Sequence, residues 1–219
     1  MITLDDVKSI HSVDVYIREA DKALDSLGYT EHSFAHITRV SDDTGRILRK
    51  LGHDKKTVEL GRIAGYLHDI GNLINRVDHS QSGAIIAFRI LDSIGMPPED
   101  ISVVVSAIGN HDEGTGTPVN AVAAALIMAD KADVRRSRVR DASEVATDIH
   151  DRVNYSVIAS SLDIDEENRC ISLELRLDTE YSSIMEFFEI FLGRMKLCRL
   201  SAKKLGVDFK LIINGQTLM

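Results

Sequence analysis

The chain has few cysteines, no long apolar run and no excess of positive charge, and each shortage argues against one class of protein. Among its 219 residues only Cys170 and Cys198 are cysteines, and they lie far apart, so the sequence does not indicate a disulfide-stapled secreted fold. The N-terminus also has neither the basic region nor the apolar region of a secretory signal. We therefore expect a reduced, cytoplasmic protein.

The apolar and charged residues also limit the kinds of partner that the protein could bind. No uninterrupted apolar stretch approaches the roughly 20 residues that a membrane-spanning helix needs. The formal net charge of -8 argues against general binding to nucleic-acid backbones, which requires an extended positive surface. Hydrophobic residues make up 44% of the chain, which is enough for a substantial core. We expect a folded protein with no membrane partner and no general nucleic-acid partner.

Apolar residues recur at helical spacing through the first two thirds of the chain. Glycine follows several of these segments as a C-terminal stop, at Gly28 and Gly52 for example. The predicted helices span residues 5–27, 31–51, 54–70, 79–94, 98–110, 118–133 and 143–151. We predict that residues 1–151 form a mostly α domain, a bundle of helices.

The periodicity changes after residue 152. Apolar and polar residues alternate over 171–177, as in a half-buried strand, and weaker strands are predicted at 154–163 and 209–213. An apolar stripe between them marks one long helix and needs cover from the small sheet or from another subunit. The stripe comprises Ile184, Phe188, Phe191, Met195, Cys198, Ala202 and Leu205. Residues 152–219 are therefore predicted to form a β-β-α-β subdomain with an antiparallel sheet, which serves as a homodimer interface or a substrate lid.

The pair His68-Asp69 lies inside an apolar run, residues 63–72. Burying an imidazole and a carboxylate is costly unless something compensates, and a bound metal ion does so. Histidine nitrogen and carboxylate oxygen suit first-row divalent metals. Consecutive helical residues project about 100° apart, so other helices must complete the coordination of any ion held between them. Further candidate ligands occur at His36, His79, His111 and Asp130.

Each candidate has an alternative interpretation. The pair His68-Asp69 could instead end a helix before Gly71, and Asp130 could pair with the basic residues that follow it, with Asp133 as a less favoured ligand. His32 lies one predicted helical turn before His36, so we expect only one of these two to coordinate.

Two known motifs are excluded because residues that they require are missing. The spacing of His32 and His36 is that of a zinc-protease motif, but Ser33 stands where that motif needs glutamate. The segment 114–118 lacks the Lys-Ser/Thr of a phosphate-binding loop and is typical of a turn.

Residues 36 to 133 resemble the HD superfamily of metal-dependent phosphohydrolases. That family has a leading histidine, a His-Asp doublet and a late aspartate, and the matching residues here are His36 before Ile-Thr-Arg-Val, His68-Asp69, and Asp130 in Ala-Asp-Lys. His79 and His111 occupy the places of the family's optional second-metal histidines. The resemblance implies an HD-type helical bundle that holds one metal at His36, His68, Asp69 and Asp130, and allows a second at His79 and His111.

The same resemblance implies the chemistry. We expect hydrolysis of a phosphoester or phosphoanhydride of a nucleotide, or of a related small molecule, through a metal-activated water. The resemblance makes Asp69, His79 and His111 catalytic. Lys131 and Arg135 are candidates for binding the substrate phosphate, with a solvated helix face as the alternative. The cofactor is expected to be Mn, Fe, Co, Ni or Zn, with Mg as an alternative.

Two subfamilies share shorter features. The segment 111–118 resembles a shortened form of the stretch that names the HD-GYP cyclic dinucleotide phosphodiesterases, but Asn110 and Thr117 replace its histidine and tyrosine. Small bacterial HD hydrolases of dinucleoside polyphosphates are similar around His79 and Asp130 but have no segment like 152–219. A different class also fits, a non-catalytic regulator that senses a nucleotide or a metal.

Overall fold

The computed structural model describes residues 1–140 and 149–219. The helices are α1 (Leu4–Lys8), α2 (His11–Ser26), α3 (Phe34–Lys50), α4 (Lys55–Leu67), α5 (His79–Ser93), α6 (Pro98–Gly109), α7 (Ala121–Ala132), α8 (Ile149–Ser156) and α9 (Ile184–Leu205). The strands are β1 (Val157–Asp165), β2 (Cys170–Leu177), β3 (Asp208–Ile213) and β4 (Gln216–Thr217). Short 3₁₀ helices occupy Ile70–Leu73 and Arg136–Arg138. The protein is a mostly α fold followed by a small α+β subdomain, as predicted.

The helix boundaries differ from the prediction at the two ends of the helical half. The predicted helix 5–27 is two helices, because the backbone at Ile10 is extended (φ -77°, ψ 114°) between the end of α1 and the start of α2. Most of the predicted helix 143–151 lies outside the described residues. Its described part continues to Ser156, so β1 begins at Val157 rather than 154, and the proposed domain boundary after residue 151 falls inside α8.

Helix α7 lies at the centre of the helical half. Nearly all its residues are buried, and it packs against α3, α4, α6 and α9. Helices α3 and α4 approach each other closely through small residues, since a Cβ built on Gly65 would lie 2.7 Å from the Ser41 Cα. These contacts bring the start of α3, the end of α4 and the last turn of α7 to one place.

The sheet has the order β1-β2-β3-β4 and is mixed. Strands β1 and β2 are antiparallel, as predicted, and so are β3 and β4, but β2 and β3 are parallel. The parallel pair follows from α9, which carries the chain back to the starting end of the sheet as in a β-α-β unit. Alternation of apolar residues does not specify strand direction, and it did not predict the two-residue β4.

The apolar stripe of α9 is covered by the same chain. Phe187, Phe191, Met195, Cys198 and Ala202 are buried against α7, β2 and β3. Phe187 lies in the core where Phe188 was predicted. The homodimer through this subdomain stays a prediction. Neither α9, with its 22 residues, nor any other helix in the described part of the chain has the length and apolarity of a membrane span.

Candidate metal centre

Five helices deliver the six candidate ligands from their ends. His36 lies in the first turn of α3, whose N-terminus is capped by the Ser33 hydroxyl. His68 and Asp69 follow α4, His79 begins α5, His111 follows α6, and Asp130 lies in the last turn of α7. Helix ends converge here, so a small rotation of any one helix would move its ligand.

A glycine permits the approach of Asp69 to His79. A Cβ built on Gly71 would lie 1.9 Å from the carbonyl oxygen of His79 and 2.4 Å from the nitrogen of Gly83. Only glycine therefore lets the 3₁₀ helix after Asp69 lie directly against the start of α5. Asp78, in the left-handed conformation (φ 56°), turns the chain into α5 just before His79.

The four buried imidazoles share one orientation. Each donates its Nδ1–H to a protein acceptor, so each ring turns its Nε2 atom toward the interior of the site. The acceptors are Asp133 Oδ2 for His36 (2.8 Å), Gly65 O for His68 (2.8 Å), Arg76 O for His79 (3.1 Å) and Ile108 O for His111 (2.6 Å). Histidines that bind a metal through Nε2 are typically oriented by a hydrogen bond from Nδ1 in this way.

The first set of donor atoms lies around one point. His36 Nε2 is 3.5 Å from Asp69 Oδ2 and 3.4 Å from Asp130 Oδ1. His68 Nε2 is 3.2 Å and 3.7 Å from the same two oxygens. Both Nε2 atoms are buried and make no hydrogen bond. Atoms that share an ion at about 2.0–2.2 Å lie about 3–3.5 Å apart, so these residues fit a divalent metal ion.

The other oxygen of Asp69 faces a second set. Asp69 Oδ1 is 3.6 Å from His79 Nε2 and 4.0 Å from His111 Nε2. The two Nε2 atoms are 3.2 Å apart. Two lone pairs at this distance repel unless a cation lies beside them, and the Arg76 guanidinium is 3.4 Å from His79 Nε2 through Nη1. The arrangement therefore accommodates a second ion, with Asp69 between the two sets.

The charges of the site favour a cation. Burial opposes ionisation of Asp69, but nearby His68 and His32 hold its pKa well below the ordinary value. Burial and Arg138 favour neutral His36, yet the carboxylates of Asp130, Asp133 and Asp69 raise its pKa to about 9. In the metal-free protein a proton on His36 therefore offsets part of the negative charge.

The histidines of the second set are neutral. Burial, with His68 and Lys131 nearby, lowers the pKa of His111 to about 3. Burial also lowers the pKa of His79, although Asp69 opposes it. Neutral rings suit metal ligation better than proton donation.

His32 and His36 do not share a helix face. Helix α3 begins at Phe34, so His32 precedes it, and its Nδ1 donates to the Thr30 carbonyl (2.6 Å). The His32 ring meets the His36 ring edge-on with centroids 5.6 Å apart, and it lines the cavity described below. The structure thus places His36 against Asp69 and Asp130. Asp133 accepts from Nδ1 of His36 and so orients that ring.

The two predicted phosphate-binding residues differ in position. Lys131 is buried at the site, with Nζ 2.7 Å from Asp130 Oδ2 and 2.6 Å from Glu113 Oε2. Burial would lower its pKa, but those two carboxylates raise it above the usual value. Arg135 is not among the residues that line the cavity, because its Nε bonds Asp133 Oδ1 at 2.5 Å. The structure therefore does not bring Arg135 to this cavity, and its contact with a phosphate stays a prediction.

A cavity of about 520 Å³ opens onto the centre. Its walls include Asp69, His79, His111 and Asp130, and four basic residues. The basic residues are Arg76, Lys131, Arg138 and Arg194. Sequence reasoning missed Arg76 and Arg194. Arg194 lies 63 residues after Lys131, at helical spacing between Phe191 and Cys198 of the buried stripe, so a charged residue on the apolar side of α9 is the signal that could have indicated it.

The chain is similar to a known family and to known proteins. A family model described as HD domain matches residues 33–173. The chain is 25% identical over 201 residues to the uncharacterized protein MJ1020 of Methanocaldococcus jannaschii, covering 80% of this chain and 74% of that protein. A crystal structure of a predicted HD superfamily hydrolase from an uncultured Thermotogales bacterium is similar with 28% identity and a TM-score of 0.45, covering 57% of this chain and 68% of that one. The family match contains all six candidate ligands and ends within β2, before α9.

Proposed function

This chain belongs to the HD-domain family, and on that premise we propose that it is a metal-dependent phosphohydrolase acting on a nucleotide or a related small molecule. One observation gives the main support for the proposal. The buried, unpartnered Nε2 atoms of His36 and His68 face the carboxylates of Asp69 and Asp130 at a cavity with basic walls. A metal held there would meet an anionic substrate from the cavity side.

The residues divide into groups with separate tasks. His36, His68, Asp69 and Asp130 would hold the first ion, and His79 and His111 would hold a second with Asp69. An ion in such a site supplies Lewis-acid polarisation of a phosphoryl group and activation of a water molecule. Asp69 has one oxygen toward each set of histidines, so it is the side chain best placed to orient the attacking water.

The donor set favours transition metals. Four imidazole nitrogens and two carboxylates suit Mn, Fe, Co, Ni or Zn, whereas Mg prefers oxygen ligands and retains several waters. His79 and His111 are better placed as ligands than as acids, because their pKa values are lowered and their Nε2 atoms converge. Elemental analysis of anaerobically purified protein identifies the metal and gives one or two ions per chain.

The cavity favours a nucleotide-sized phosphate substrate. Its volume lies within the range of small-molecule sites, roughly 300–1,000 Å³. The basic residues of its wall suit phosphate oxygens. Tyr29, 43% exposed, also lines the cavity and offers an aromatic face to a base.

Replacing Asp69 by Asn tests the function. The change keeps the shape of the side chain but removes the charge shared by both donor sets, so we expect loss of bound metal together with loss of hydrolysis. The assay screens nucleoside mono-, di- and triphosphates, dinucleoside polyphosphates and cyclic dinucleotides with each candidate metal. Hydrolysis is followed by phosphate release and chromatography.

A matched variant separates this effect from a general loss of stability. Asp100 is also a buried aspartate, paired with Lys56 at 2.7 Å, but it belongs to α6 and is not a candidate ligand. Asp100→Asn should keep both metal and activity. Full hydrolysis by folded, metal-free Asp69→Asn protein would refute the proposal. Tight nucleotide binding without turnover by the wild-type protein in every metal form would favour the regulatory alternative.

A further inference from the structure

Arg194 borders the candidate metal centre, although it lies outside the residues that the family model matches. It lies on α9 of the C-terminal subdomain, 21 residues beyond the end of that match, and it lines the same cavity as Asp69 and Asp130. We propose that Arg194 binds the phosphate group of the substrate, so that the C-terminal subdomain completes the active site. This inference rests on the proposed function, although its test below does not require turnover.

Arg194 is fixed relative to the metal ligands by a chain of ion pairs. Its Nε donates to Glu113 Oε1 at 2.8 Å, and the second carboxylate oxygen of Glu113 is 2.6 Å from Lys131 Nζ. Lys131 Nζ is in turn 2.7 Å from Asp130 Oδ2. The charges alternate along these four side chains. The guanidinium is therefore held at a set position relative to Asp130.

One face of the Arg194 guanidinium packs against an aromatic ring. Its central carbon lies 4.7 Å from the ring centroid of Phe191, which is fully buried one turn earlier on α9. Within the described residues its hydrogen bond uses Nε, so both terminal amino groups keep their donors. The Arg194 side chain is 26% exposed, consistent with a group that borders a cavity. A planar fork of this kind matches the oxygens of a phosphate.

Lys131 and Arg138, two of the other basic residues of the cavity, are more heavily engaged than Arg194. Lys131 is balanced by two carboxylates. Arg138 is buried and donates through Nε and Nη1 to the carbonyls of Glu31 and Asp133. Arg76 directs Nη1 toward Asn72 and His79, both at 3.4 Å. Within the described residues, Arg194 and Arg76 thus both keep terminal donors for a substrate anion, and of the two only Arg194 belongs to the C-terminal subdomain.

A purely structural role for Arg194 is the competing explanation, since the pair with Glu113 also ties α9 to the helical half. A second pair on α9 provides the control. Arg152 Nη2 donates to Glu186 Oε1 at 2.8 Å and joins α8 to α9. Its side chains are 27% and 29% exposed, against 26% and 28% for Arg194 and Glu113. Arg152 does not line the cavity.

Isothermal titration with inorganic phosphate tests the inference on the metal-loaded protein. We expect Arg194→Gln to weaken phosphate binding at least about tenfold, the effect of losing a charge-assisted pair. Arg194→Lys, which keeps the charge without the fork, should lie between Arg194→Gln and wild type. Arg152→Gln should bind phosphate as the wild type does. Metal content, measured on the same samples, should be equal in all four proteins.

Three results would overturn the inference. They are unchanged phosphate affinity in Arg194→Gln, an equal loss in Arg152→Gln, and a metal-loaded wild type that binds no phosphate. If Arg194→Gln does not fold, Arg194→Lys decides, because wild-type affinity in that variant would contradict a role for the fork. Arg194-dependent phosphate binding without hydrolysis of any substrate would refute the proposed function while leaving this inference intact.

Discussion

At the scale of single residues, the candidate centre depends on which ring nitrogen of each histidine faces the cavity. Three imidazoles are oriented by backbone carbonyls of their own helix end or turn. His36 differs, because its Nδ1 donates to the carboxylate of Asp133, 97 residues away in sequence. Asp133 also pairs with Arg135, so the acceptor is itself held in place. The orientation of His36 is therefore a property of the folded chain.

Replacing Asp133 by Asn should weaken metal binding while sparing the fold. Loss of a carboxylate behind a histidine ligand typically reduces metal affinity about 10- to 100-fold. Competition with a chromogenic chelator measures the affinity. Asp43→Asn is the control, since Asp43 pairs with Arg46 on the same helix as His36 and is not a candidate ligand. Equal affinities in the two variants would contradict a positioning role for Asp133.

Metal affinity should depend on pH through His36. Its pKa is raised to about 9 by the surrounding carboxylates, so the metal-free protein holds a proton there near neutral pH. That proton stabilises the metal-free fold at low pH, and the stabilisation disappears as the pH rises through about 9. A metal ion must displace the proton, so apparent affinity rises with pH and levels off above about 9.

Titration calorimetry in buffers of different ionisation enthalpy measures the displaced proton. We expect close to one proton released per chain near neutral pH and little release well above the pKa of His36. Asp133→Asn should move the transition to lower pH, because it removes one of the carboxylates that raise the pKa. Absence of proton release near neutral pH would contradict this account.

At the scale of elements, the contact between α3 and α4 sets the separation of His36 and His68. Gly65 lies three residues before His68 and faces the backbone of Ser41. The Ser41 hydroxyl also donates to the Arg62 carbonyl at 2.8 Å, which fixes the two helices along their length. A side chain at position 65 would have to move backbone rather than a flexible neighbour.

Gly65→Ala should therefore destabilise the protein by about 1–3 kcal/mol, as overpacking commonly does, and weaken metal binding too. Gly193→Ala is the matched control, because Gly193 lies inside α9 with no atom within 4 Å of an added Cβ. That variant should gain up to about 1 kcal/mol from better helix propensity. Urea unfolding measures both changes. A neutral Gly65→Ala would mean that α3 and α4 can separate without cost.

At the scale of the whole molecule, the helical half and the C-terminal subdomain share one core. Phe187 and Phe191 of α9 belong to the same buried cluster as α7. Polar contacts join the halves as well, since Arg46 donates to the Leu162 carbonyl (2.8 Å) and Ser160 donates to the Ala132 carbonyl (2.5 Å). The two halves should therefore stabilise each other.

We predict a single unfolding transition for the complete chain. Phe191→Ala, which empties a fully buried position on α9, should lower the free energy of unfolding by about 3–5 kcal/mol and shift the whole transition. Circular dichroism and hydrogen-exchange mass spectrometry follow the two halves separately. Two transitions, with only residues 152–219 affected by the substitution, would instead support independent domains.

The sequence alone determined the candidate ligands and most of the helices. Buried polar residues in apolar runs, such as His68-Asp69, stand out because burial without a partner is costly. Helical periodicity and capping residues are local, so they predicted the helices to within a few residues. The order of the ligands along the chain also sufficed to indicate the family.

Only the tertiary structure decided how these parts work together. It depends on which helix ends meet that His36 rather than His32 lies against Asp69 and Asp130 and that Asp133 contacts His36. The same holds for the positions of Arg135 outside the cavity and of Arg194 in its wall. The parallel pairing of β2 with β3 is of the same kind. Contacts between residues far apart in sequence follow from the packing of the whole core. A local sequence pattern therefore does not predict them.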